Sequence, residues 1–252
     1  MLKLQDEDKP EVPTIPPGFQ PVDTLPSKYK CYPKGTRLYA RPLKVLELKQ
    51  LATMSEETAD EVINSVLARS TIGLDVGDLV VADKIFLIMW QRANTYKGDE
   101  FSISYVCPDC GKEDKYKFDV VQTSVSDVVD DYDYDKEYEV DGHKICLDQA
   151  RVKSVSLVKE YLTNNPDADK DILASIAFRV RKVDGHEVGL AEAYEFCVNL
   201  SPAGFVKLNG LCTQTEMLID PVVHVKCNNC AKEVPVRVSF RPDFFIPAYT
   251  GW

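Results

Sequence analysis

The sequence predicts an α+β fold: a predominantly helical domain with a discontinuous zinc-ribbon β element, plus one or two small β-hairpins. Three observations carry this reading. Two Cys-x-x-Cys knuckles, Cys107-Pro108-Asp109-Cys110 and Cys227-Asn228-Asn229-Cys230, are each flanked by short alternating segments. Apolar residues recur at helical spacing before and between them, and Asp141-Gly142 has the composition of a tight hairpin turn. With 252 residues, 44% of them hydrophobic, the chain can bury a core large enough for one domain or a domain with a lobe.

Taken in order, residues 1–37 read as a proline-rich extended arm. Pro10, Pro13, Pro16, Pro17, Pro21, Pro26 and Pro33 disfavour regular helix and keep the backbone extended, so this segment is expected to be a flexible terminus or to lie on a partner. Residues 38–99 read as the N-terminal helices. Pro42 can occupy a first turn, with Leu43, Val45, Leu46, Leu48 and Leu51 as apolar surface. Ser55 is the expected cap of the next helix, which carries Val62, Ile63, Val66 and Leu67. From Leu79 to Trp90 the chain is apolar apart from Asp83 and Lys84, too short and too interrupted to span a bilayer. It is expected to form a central core helix capped by Asp78.

Residues 100–120 and 222–243 supply the two halves of the ribbon. Phe101, Ile103 and Tyr105 enter the first knuckle, and Tyr116, Phe118 and Val120 leave it. Val223 and Val225 precede the second, with Val234, Val236, Val238 and Phe240 after it. Two intervening residues let both sulfurs of a tight turn face one ion, so Cys107, Cys110, Cys227 and Cys230 form a tetrahedral set with no position left for water. The site is therefore structural, and Zn2+ is the expected metal. A rubredoxin-type iron uses the same ligands and stays as the rival, ahead of disulfides or unliganded thiols. Cys31, Cys146, Cys197 and Cys212 are expected to be free, mostly buried thiols in a reducing cytosol, because the start of the chain lacks an apolar signal core.

Residues 121–221 read as an inserted acidic loop, hairpin and helical lobe. The acidic run from Asp127 to Asp141 is not an EF-hand: counting from Asp131, Lys136 falls where the loop needs glycine and Gly142 where it needs glutamate. Asp141-Gly142 should close a type I′ hairpin pairing Glu139 with Lys144 and Tyr138 with Ile145. Val183-Asp184-Gly185-His186 either repeats that turn or ends a helix over Ile172–Arg181. Two helices should follow, over Leu190–Leu200 and from the Ser201-Pro202 cap through Phe205, Val206, Leu208 and Leu211. His143 and His186 read as turn-adjacent residues and His224 as a strand residue, none of them ligands. Residues 244–252 form an aromatic tail that closes the core or anchors a partner.

Function is narrowed by what is missing. A formal charge of −10 argues against nonspecific nucleic-acid binding. Lys112, Lys115, Lys117, Lys226, Lys232 and Arg237 around the knuckles would offset the charge of a tetrathiolate. No phosphate loop, nucleotide fingerprint or nucleophile motif is present, so no catalytic residues are assigned and the chain is not expected to be an enzyme.

Leu25-Pro26-Ser27-Lys28, Leu38-Tyr39-Ala40-Arg41-Pro42-Leu43 continuing through Glu47-Leu48-Lys49, Ala82-Asp83-Lys84-Ile85-Phe86-Leu87 with Arg92, and then the first knuckle follow in an order that resembles the T4-type bacteriophage baseplate protein family. The resemblance runs from about Leu25 to Phe240. It implies a baseplate hub subunit or hub assembly factor that binds other hub and tail proteins, without a small-molecule substrate and with oligomerisation left open. It would act in the host cytoplasm during assembly and could persist in the virion tail. A zinc-ribbon transcription accessory protein is the alternative that the knuckles alone permit.

Overall fold

The structure is a computed structural model describing residues 15–96, 101–118, 132–217 and 222–246. Among these are eight α-helices and several small sheets, an α+β architecture. Two lobes have separate hydrophobic cores, and a small third cluster lies between the cysteine hairpins.

The N-terminal lobe begins with β1 (Gln20–Pro21), which pairs antiparallel with β2 (Tyr39–Ala40), itself paired with β3 (Thr71–Ile72). This corrects the expectation of an extended arm to residue 37. From residue 22 onward the chain is built into the lobe: Val22, Leu25, Cys31 and Tyr32 are buried in its core. The prolines punctuate a series of turns, in which the N–H groups of Lys28, Lys30 and Tyr32 donate to the carbonyls of Leu25, Ser27 and Tyr29. Proline fixes φ without forbidding turns, and the interspersed apolar side chains decide the outcome. Residues 1–14, with Pro10 and Pro13, lie outside the described residues.

Helix α1 (Val45–Ala52) buries Leu51 and leaves Val45 and Leu46 exposed. Its start is held by Glu47, whose carboxylate accepts the Lys44 N–H at 2.7 Å and forms a two-point pair with Arg41 at 2.9 and 2.6 Å. Helix α2 (Ala59–Ser70) starts after Thr58 rather than at Ser55, whose own N–H donates to Thr58 Oγ1 at 3.0 Å. Helix α3 (Val81–Thr95) is the expected apolar core helix, with Leu87, Ile88 and Met89 buried. Asp78 does not cap it. A single 3-10 turn, Val76–Asp78, intervenes, and the extended residues Leu79 and Val80 are themselves buried; the Val80 N–H donates to Tyr32 Oη at 3.0 Å. The Asp78 carboxylate instead accepts from Lys153.

The second lobe contains β6 (Glu137–Val140), β7 (His143–Leu147), α4 (Val152–Asn164), α5 (Lys170–Ser175), β8 (Val180–Val183), β9 (His186–Glu187), α6 (Leu190–Val198) and α7 (Pro202–Thr215). Asp141 and Gly142 both have positive φ, 51° and 81°, and the register sets Tyr138 against Ile145 and Glu139 against Lys144 as the type I′ turn requires. Asp184 and Gly185 repeat the turn, so the hairpin alternative holds there and the helix before it is short. The two hairpins join through β7 and β8 into one sheet of order β6-β7-β8-β9. Ser201 caps α7 by accepting the Gly204 N–H at 3.0 Å, while both its N–H and its hydroxyl donate to Asp141. Residues 127–131 of the acidic run lie outside the described residues.

At the chain's end, α8 (Pro242–Phe245) puts Phe244 and Phe245 into the N-terminal core. Residues 247–252 of the aromatic tail are outside the described residues. Cys31, Cys146, Cys197 and Cys212 are buried free thiols.

Candidate metal centre

Two antiparallel hairpins build the site. Strands β4 (Phe101–Val106) and β5 (Glu113–Phe118) flank the first knuckle, and β10 (Val222–Lys226) and β11 (Glu233–Arg237) flank the second. The knuckles fold alike. Cys107 N–H donates to Lys112 O and Gly111 N–H to Cys107 O, both at 2.9 Å; Cys227 N–H donates to Lys232 O at 2.8 Å and Ala231 N–H to Cys227 O at 2.9 Å. Ala231 adopts the same left-handed conformation as Gly111, with φ of 58° against 68°, so the turn overrides the residue's own preference.

All four sequence-predicted ligands come together. The sulfurs of Cys107, Cys110, Cys227 and Cys230 lie within 4.8 Å of one another, with Cys107 to Cys230 at 3.7 Å and Cys110 to Cys227 at 3.8 Å. Sulfurs bonded at ~2.3 Å to one tetrahedral ion would be about 3.8 Å apart, whereas a disulfide needs about 2.05 Å. The thiols therefore fit a shared metal ion and could bind one.

Their electrostatics favour thiolate at two positions. The Lys112 backbone N–H, assisted by the Asn229 side chain, lowers the Cys110 thiol to about 6. Backbone N–H groups of Cys230 and Asn229 lower Cys227 in the same way. At Cys230 the Lys232 N–H has that effect too, but burial and the neighbouring thiols outweigh it and push the group up to about 12. Donors already aimed at sulfur would stabilise a bound thiolate set by charge-assisted hydrogen bonds.

The hairpins are also tied without the sulfurs. Tyr105, Val225 and Val234 form a buried cluster with Cys107 and Cys227. Asn228 Nδ2 donates to Asp114 Oδ2 at 2.6 Å, and Lys232 Nζ meets Asp109 Oδ1 at 2.5 Å. These cross-links escaped sequence reading, although alternate charges at the knuckle flanks were their available signal. Lys232 is held protonated chiefly by Asp109, with Cys230 and Cys107 adding to the effect. The histidines stay away from the cluster: His143 meets Asp184 Oδ2 at 2.7 Å, His224 meets Glu233 Oε1 at 3.2 Å, and His186 lies exposed on β9.

A cleft of about 520 Å³ separates the lobes, lined in part by Tyr32, Tyr134, Asp148, Arg151, Leu157 and Arg181. Its arginines are engaged in ion pairs, Arg151 with Asp148 and Arg181 with Asp135, and Lys153 in the same cleft pairs with Asp78. Among the described residues, no helix is long and apolar enough to cross a membrane.

Fold and site together define an α+β protein in which four cysteines lie close enough together to hold a metal ion. Residues 22–246, most of the chain, match the family described as T4 bacteriophage base plate protein, and the chain belongs to that family. It is thus a phage base plate protein, a class that fits a non-enzymatic role in the virion tail beside other phage structural proteins. No curated protein and no solved structure matches it.

Proposed function

We propose that the protein is a baseplate hub subunit or hub assembly factor, acting by protein–protein binding around a structural zinc ion held by Cys107, Cys110, Cys227 and Cys230. The closed donor set carries this reading: four sulfurs within 4.8 Å satisfy a tetrahedral ion completely, which suits a fastener. When bound, zinc supplies cross-linking and Lewis acidity confined to its own thiolates. The chain's residues do the rest: the knuckle N–H groups orient the sulfurs, and Asp114–Asn228 and Asp109–Lys232 set the hairpins in register.

The family-bearing segments support a scaffold that presents surfaces. Ser27 and Asp83, from two of those segments, are hydrogen-bonded at 3.0 Å in the core, and Arg41 pairs with Glu47 within a third. They hold the lobe together, leaving exterior residues free to differ between binding partners. The test is deletion of the gene in its phage, with electron microscopy of the particles and mass spectrometry of proteins that copurify with the native chain. Arrested or hubless baseplates and copurifying hub proteins are expected. Normal contractile tails would reject an essential assembly role.

A further inference from the structure

Among the described residues, each of the four strands that carry the knuckles pairs with one neighbour only, and their outer edges differ. In an antiparallel pair, alternate residues exchange hydrogen bonds and the others direct N–H and C=O outward. Since Cys107 N–H donates to Lys112 O and Cys227 N–H to Lys232 O, the outward positions are Ser102, Ser104 and Val106 on β4 and Glu113, Lys115 and Lys117 on β5. In the other hairpin they are Val222, His224 and Lys226 on β10, and Glu233, Pro235 and Arg237 on β11.

Two of these edges are blunted. At the centre of β11, Pro235 has no N–H to offer. At the matching place on β5, the Lys115 N–H is already taken by Asp114 Oδ1 at 2.8 Å. Self-pairing there would also oppose lysine to lysine. The edge of β10 is open, but self-pairing about His224 would set the imidazoles against each other. β4 lacks these obstacles. Its outward residues are small or apolar, all are exposed, and Val106 is 62% exposed while Tyr105 beside it is buried.

We propose that β4 is a homotypic interface, pairing antiparallel with β4 of a second copy about a two-fold axis through Ser104. This register opposes Ser104 to Ser104 and Ser102 to Val106, engages the outward N–H and C=O of all three residues in both copies, and joins the two hairpins into one four-stranded sheet. On the opposite face it sets Ile103 beside Tyr105. Opposing residues carry no like charge, which is the condition for an isologous contact. The occupant is a second copy because the edge is complementary to itself at each of these positions.

Sedimentation equilibrium of the full metal-loaded chain tests this, using wild type, Ser104→Pro, Ser104→Lys and Ser104→Glu. Wild type should dimerise. Ser104→Pro should be monomeric, and the two charged variants should each self-associate about fivefold more weakly at low salt. Mixing Ser104→Lys with Ser104→Glu should restore the dimer, because opposite charges then meet at the axis. Ser104 is exposed, so the charged variants keep the test valid if the proline variant fails to fold. A monomeric wild type, charged variants that dimerise undiminished, or a mixture that stays monomeric would each overturn the proposal.

Discussion

Arg151 and Asp148 form a two-point ion pair, Nε to Oδ2 at 2.5 Å and Nη2 to Oδ1 at 2.7 Å, inside the joint between the lobes. The remaining donors reach the other lobe, where Nη2 also donates to Cys31 O at 2.8 Å and Nη1 to Asp78 O. Around them the backbone forms a bridge, Val81 N–H to Ala150 O at 2.8 Å and Val152 N–H to Leu79 O at 2.9 Å. Burial would by itself lower the Arg151 pKa, but Asp148 overrides this and raises it.

Arg151→Met should therefore cost about 3–5 kcal/mol in urea unfolding, since it leaves Asp148 buried without its partner. Arg151→Lys should recover only part of this, because an ammonium cannot reproduce the fork. A loss below ~1 kcal/mol in the methionine variant would contradict the assigned role.

Asp83 should show an opposite dependence on charge. Burial raises its pKa, while hydrogen bonds from Ser27 and Tyr32 partly counter that. The folded state then keeps this proton to higher pH than the unfolded state, so wild type loses stability as pH rises from the unfolded value of 3.8 through the raised folded value. Asp83→Asn removes this dependence and retains an acceptor for the Ser27 N–H. Urea melts from acid to neutral pH should show the asparagine variant gaining on wild type as pH rises; parallel curves would refute the sign.

Glycine substitutions should separate conformational need from conformational cost. Gly73 has φ of +97°, and an added Cβ would lie 2.1 Å from Arg37 O, a backbone atom, so Gly73→Ala should destabilise by about 2 kcal/mol or more. Gly210 is inside α7 with nothing near its would-be Cβ, and Gly210→Ala should stabilise by about 0.5–1 kcal/mol. Thermal melts of both variants check the pair, and the same sign for both would be the contrary result.

Chelation should loosen both knuckles together. Limited proteolysis of chelator-treated protein is expected to cut within residues 101–118 and 222–237, and Cys110→Ser and Cys227→Ser should each reproduce the pattern. Metal analysis of fresh protein should return one zinc per chain. An unchanged digest after complete metal removal would sink the clasp.

What was legible in the sequence was short-range chemistry. The knuckles, the Asp141-Gly142 register and the Ser201 cap depend on residues a few positions apart, and all occur as read. Most of what failed depended on distant partners. Ser55 and Asp78 have good capping side chains, yet the nearby Thr58 hydroxyl and the distant Lys153 occupy them. The proline-rich stretch looked like an arm because Tyr32 and Ser27 meet Asp83 only in three dimensions, across 51 and 56 positions. β1, β2 and β3 are two residues each, too short to leave a periodic trace. Arg151 carried no motif; its role exists only once the two lobes meet.

The distance between the knuckles also has a meaning in time. At roughly 5–20 residues per second, a ribosome needs about 6–23 s to cover the 117 positions from Cys110 to Cys227. During that interval each newborn chain carries an open dithiol, able to be oxidised or to take a metal with too few ligands. Emergence of the second knuckle completes the four-cysteine set, so under the proposed metal-binding role synthesis order would make capture of the ion a late event in the birth of the protein.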